Sequence, residues 1–130
     1  MTLAYERASD SPQGRWVNLA GRQRMLSQRI AKFYLFTQWG IHVTRSRAGL
    51  SEAMQEFATA LTELAVPARA VPEIEHQLER VSRHWQLLES TLGSAGHGDE
   101  KRRAALVATV SERLLRQTDA AVGLYEALPA

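Results

Sequence analysis

Apolar residues recur along this chain in alternating steps of four and three, in four separate stretches, and each such row marks the buried face of an α-helix. Leu19, Gln23, Leu26, Ile30, Phe33, Thr37 and Ile41 form the first row and predict a helix over about 15–43. Leu50, Met54, Phe57, Leu61 and Leu64 predict a second over about 48–64, after which Pro67 and Pro72 bracket a short connection. Pro72 suits the first turn of a third helix, which Ile74, Leu78, Val81, Trp85, Leu88 and Leu92 carry to about residue 92. The glycine-rich run 93–98 is the clearest loop in the sequence. Asp99 then stands where a cap belongs, and Val107, Val110, Leu114, Gln117, Ala121, Leu124 and Leu128 extend a fourth helix to about residue 127. No strand-like alternation of any length competes with these rows.

Four helices on short connections predict an all-α fold, an antiparallel up-down four-helix bundle. The first helix, of about 28 residues, would be on the order of 40 Å long and should outrun the second. Leu19, Leu26, Ile30, Phe33, Phe57, Leu61, Leu78, Val81, Trp85, Leu114 and Leu124 are the predicted core. At 130 residues the chain is one domain, read as a flexible segment over 1–14 followed by the bundle over 15–130.

Charge changes this picture from a generic bundle to one with a site. From Ser11 to Ser51 there are seven basic residues (Arg15, Arg22, Arg24, Arg29, Lys32, Arg45 and Arg47) and no acidic one, while the chain as a whole closes at +2. The positive charge is local to the first helix and the start of the second, and it seeks anions. The absence of cysteine removes disulfides, zinc–thiolate sites and a cysteine nucleophile. No window approaches the roughly 20 apolar residues that span a bilayer. Met1–Gly14 has acids and no apolar core of a secretory signal. The expectation is a periplasmic protein if the chain is a mature or excised domain, and a cytoplasmic one if Met1 is the native start.

The first helix carries a second stripe. Val17, Gly21, Arg24, Gln28, Ala31, Leu35 and Trp39 keep the same spacing, rotated by well over about 100° from the Leu19/Leu26/Ile30/Phe33 row. One stripe serves the core, and the other is read as the seam of a homodimer, with Gly21 and Ala31 small enough for close backbone approach. On a twofold axis Arg24 would meet its own copy, and two guanidiniums about 6 Å apart repel by roughly 2–3 kcal/mol at an effective dielectric of about 20. A small oxyanion between them would convert that repulsion into two forked contacts. The simpler reading is that these arginines form a solvated face or pair with acids of later helices.

The segment Asn18-Leu19-Ala20-Gly21-Arg22-Gln23-Arg24-Met25-Leu26-Ser27-Gln28-Arg29-Ile30-Ala31-Lys32 resembles the signature of the N-terminal domain family of type IV pilus methyl-accepting chemotaxis transducers, a sensory module related to the periplasmic part of nitrate/nitrite sensor kinases. The likeness extends more loosely through Phe33-Tyr34-Leu35, Pro72-Glu73-Ile74 with Trp85, Ser111-Glu112 and Leu124-Tyr125-Glu126. It implies a helical-bundle dimer that binds nitrate or nitrite between two first helices. The family's Gly-x-x-Arg-Met and following Arg fall on Gly21, Arg24, Met25 and Arg29, so the resemblance makes Arg24 the anion ligand and the Gly21 backbone its neighbour. Met25, Gln28 and Arg29 complete the candidate set. Where the nitrate sensors have a lysine this chain has Leu19, which implies weaker binding or a different anion.

Glu73-x-x-His76 has the spacing of half a carboxylate-bridged di-iron site, but the second such motif and the two further glutamates are missing. No metal, no cofactor and no enzyme activity is expected. Nucleic acid is not expected either, because the basic residues sit among Met25, Leu35, Phe36 and Trp39 and the other helices are acidic. The expected function is a ligand-sensing bundle for a small inorganic anion that passes its state to a downstream signalling protein. A structural or protein-interaction module is the competing class.

Overall fold

A computed structural model of the chain describes residues 12–93 and 100–129. It contains four helices: α1 (Pro12–Gln38), α2 (Val43–Ala68), α3 (Pro72–Gly93) and α4 (Glu100–Glu126). There is no strand among the described residues. α1 packs along α2 and α4, α3 packs along α4 and more lightly against α2, and the diagonal pairs are not neighbours. That is the expected all-α, antiparallel, up-down four-helix bundle. The N-terminal segment through Ser11, the loop residues 94–99 and the proposed Asp99 cap lie outside the described residues.

Two helix boundaries differ from the periodic reading, for local reasons. α1 ends at Gln38 because Gly40 adopts a left-handed conformation (φ 69°). The Gly40 amide donates to Thr37 O at 3.3 Å and the Ile41 amide to Phe36 O at 2.9 Å, which is the paired closure of a Schellman motif. α2 then starts at Val43 rather than near 48 and runs through Pro67 to Ala68. Pro67 removes one helical donor, but Leu64 and Ala68 are both buried and their packing keeps the last turn helical. With 27 residues in α1 and 26 in α2 the two match in length, so the expected projecting end of the first helix is absent. Because Gly40 accepts a positive φ that an alanine resists, Gly40→Ala should lower stability by about 1–2 kcal/mol in urea unfolding.

The core is centred slightly off the row of large apolar residues. Leu26, Ile30, Phe57, Leu78, Val81, Trp85 and Leu114 are buried as expected, whereas Leu19, Phe33, Leu61 and Leu124 are only half-buried. On α1 the inward positions are Ala20, Gln23, Ser27, Ile30 and Tyr34, with Leu26 beside them. On the last turns of α4 they shift to Thr118 and Tyr125, one residue beyond Gln117 and Leu124. Small side chains at the closest approach let the larger apolar residues straddle it, so size alone points to the flank of the interface. Gly49 marks one such approach, since a Cβ there would lie 2.7 Å from Phe33 Cζ.

Two contacts tie the layers together. The Phe57 and Trp85 rings stack with centroids 4.4 Å apart, joining α2 to α3. Tyr125 Oη donates to Leu64 O at 3.0 Å, joining α4 to the end of α2. Burial pushes the Tyr125 phenol up to about 12, which keeps the hydroxyl protonated and able to donate.

Candidate functional site

α1 presents two different flanks outside its core face. Towards α2, the exposed Arg22 pairs with Glu56, its Nε donating to Oε2 at 2.9 Å. Towards α4, Arg24 Nη1 donates to Asp119 Oδ1 at 2.8 Å. Both partners of this second pair are at least half exposed, so the bond is one that water and salt compete for and contributes at most about 1 kcal/mol. The reading in which these arginines pair with acids of later helices therefore holds for Arg22 and Arg24. Arg29 makes no ion pair among the described residues.

The five candidate residues do not converge within one chain. Gly21, Arg24 and Gln28 follow each other at three- and four-residue steps along the α4 flank, with Gly21 half-buried and the other two exposed. An added Cβ at Gly21 would meet no atom within 4 Å, so that glycine leaves a shallow gap beside Arg24. Met25 is half-buried and Arg29 exposed; Arg29 lies about 140° round the helix from Arg24 at 3.6 residues per turn. A single chain thus supplies one charged, accessible guanidinium rather than a closed anion site.

Next to Arg24 the same flank continues as a groove of about 280 Å³ between α1 and α4, lined by Gln28, Ala31, Leu35, Ala108, Ser111 and Leu115 among others. Its walls are largely small or aliphatic, and the Ser111 hydroxyl is buried without a hydrogen-bond partner. The second stripe of α1 is therefore present on the folded surface: Val17, Gly21, Ala31 and Leu35 are half-buried, and Arg24, Gln28 and Trp39 are exposed. It runs beside α4, which meets it at Arg24 and along the groove.

The match to known sequences agrees with the α1 signature. A family model described as the type IV pili methyl-accepting chemotaxis transducer N-terminal domain matches residues 8–122, spanning all four helices up to the last turn of α4. The chain belongs to this family. It is accordingly a helical domain of the chemotaxis-transducer sensor type. No curated protein and no solved structure matches the chain. No described helix is long and apolar enough to cross a membrane, and no three His, Asp or Glu side chains cluster as a metal site among the described residues.

Sequence reasoning missed Asp119 and Glu56 as the partners of Arg24 and Arg22. No spacing within α1 encodes them, because they lie 95 and 34 positions away and meet the arginines only through the register of α1 against α4 and α2. It also missed the buried but unpartnered amide of Gln23, although the residue stands in the predicted core row.

Proposed function

We propose that this transducer-family domain senses a small oxyanion of the nitrate or nitrite type through Arg24, at a seam between two copies of the chain. The observation that carries the proposal is Arg24 itself: an exposed guanidinium on the α4 flank of α1, paired among the described residues with one exposed carboxylate. Such a pair is weak enough for an anion to replace Asp119. Two stripes brought together on a twofold axis would place the arginines close to each other, and an anion between them would offset their repulsion of roughly 2–3 kcal/mol. Ligand binding and pairing are then one event. In this reading the domain works in the periplasm and hands its state to a separate signalling protein.

If nitrate or nitrite binds the folded pair and not the unfolded chain, it raises the melting temperature by mass action. The rise should disappear in Arg24→Ala and largely persist in Arg22→Ala, whose guanidinium faces α2. Asp119→Asn removes the competing carboxylate and should strengthen the response. Sedimentation equilibrium with saturating nitrate reports the pairing. The two ion pairs to later helices favour a second reading, in which α1 is a protein-interaction surface with no small ligand. Equal melting curves with and without every anion tested would select it.

A further inference from the structure

The groove between α1 and α4, which anion binding at Arg24 leaves unused, has a chemistry of its own. Ala31 and Leu35 of α1 and Val107, Ala108 and Leu115 of α4 give it aliphatic walls around about 280 Å³. An apolar cavity of about 150 Å³ already holds a benzene molecule, so there is room for one ring with a substituent. Two serines, Ser27 and Ser111, share the lining, and they differ. Ser27 donates to Arg24 O at 2.6 Å. The other buried serine and threonine hydroxyls behave alike: Ser46 donates to Ile41 O, Thr91 to Leu87 O and Thr118 to Leu115 O. Ser111 is only 7% exposed, and alone among these five its hydroxyl has no hydrogen-bond partner among the described residues. A helical serine ordinarily spends its proton on a carbonyl one turn back, so this one is held in reserve beside the groove.

Charge narrows the class of ligand. Glu112 is the one charged side chain in the lining, and no cation shares it. An anion would meet that carboxylate and lose its water against aliphatic walls without a counter-charge. A cation would gain little, because Glu112 is exposed and solvent screens it. A pure hydrocarbon would cover the walls and leave the Ser111 hydroxyl unpaired. Because Ser111 belongs to the wall, rotation about its Cα–Cβ bond turns the hydroxyl towards a molecule in the groove. We infer that the groove is a second ligand site, for a small neutral molecule of the phenol class, with its ring between Ala31 and Ala108 and its oxygen accepting from Ser111 Oγ. Two helices of one chain form the groove, and Ala31 stands about 10 Å along α1 from Arg24. The site therefore stands whether or not Arg24 binds an anion or two copies pair.

Phenol, titrated into the isotope-labelled protein and followed by amide chemical shifts, is the direct probe. It should give saturable shifts centred on residues 27–35 and 107–115, the two walls of the groove. Ser111→Ala should weaken phenol about fivefold or more, the loss of one hydrogen bond. The same variant should hold toluene, which has the ring without the hydroxyl, within about twofold of its affinity for the unaltered chain. Ala108→Leu, at an exposed position on the wall, should weaken both about tenfold or more by filling the space. Benzoate, an anion of similar size, should bind about tenfold more weakly than phenol, and circular dichroism should find both variants folded. The nitrate melting shift reports on Arg24 and can fail without altering this result. No saturable phenol shifts, shifts centred elsewhere, equal losses of phenol and toluene in Ser111→Ala, full phenol binding by Ala108→Leu, or benzoate binding as tight as phenol would overturn the assignment.

Discussion

Phe57→Ala is expected to destabilise the domain by about 3–5 kcal/mol, the usual cost of emptying a buried phenylalanine site. Phe57 is fully buried in the core, and its ring stacks on Trp85 of α3 at 4.4 Å. α2 and α3 share the lightest of the four helix contacts, so this aromatic pair carries an unusual share of the attachment between them. The surrounding helices cannot collapse into the space without losing their contacts with α1 and α4. Since a domain of this size has only about 5–15 kcal/mol in total, the variant should unfold at much lower urea. Half-buried Leu61, one turn further along α2, provides the contrast: Leu61→Ala should cost clearly less. Equal losses at the two positions would mean that the core is centred elsewhere.

Gln23→Met is expected to do the opposite and raise stability by about 1–3 kcal/mol, the usual cost of one buried, unsatisfied polar group. Gln23 is 0% exposed, and neither its Nε2 nor its Oε1 has a hydrogen-bond partner. Methionine is unbranched and of similar length, so it can follow the same path through the core without the amide. Most core substitutions destabilise, which makes the sign of the change decisive. A loss of stability in Gln23→Met would show that the amide is satisfied in solution by buried water. Because Gln23 precedes Arg24 in the α1 signature, the nitrate melting shift of the variant should be measured alongside. A stabilised variant with an unaltered shift would separate the core residue from the sensing one.

The helices and the family signature were legible because both are local. Four-three spacing, the proline at the start of α3 and the acid-free run through α1 need no knowledge of what packs against what. The bundle followed from them, since four amphipathic helices on short connections have few other ways to bury their faces. The second stripe of α1 was legible in the same way, and its residues lie half-buried or exposed along the flank beside α4. The left-handed closure at Gly40 was also written in the chain, but the continuing apolar row through Ile41 masked it.

The tertiary structure alone decided which way each helix faced and which charges met. The exact core centre depends on where Ala20, Ser27 and Ala121 allow the closest approach, and small residues carry almost no weight in a hydrophobic row. Asp119 reaches Arg24, Arg103 reaches Tyr34 and Tyr125 reaches Leu64 across 61 to 95 positions of sequence. Those pairings are set by the axial register between antiparallel helices, where a shift of one residue moves every side chain by about 1.5 Å along the axis and 100° round it. The sequence by itself determined the helices, their number and the charged stripe on the first. Only the packing determined that Arg24 faces a carboxylate on α4, and that the unpartnered Ser111 hydroxyl stands beside a groove between α1 and α4.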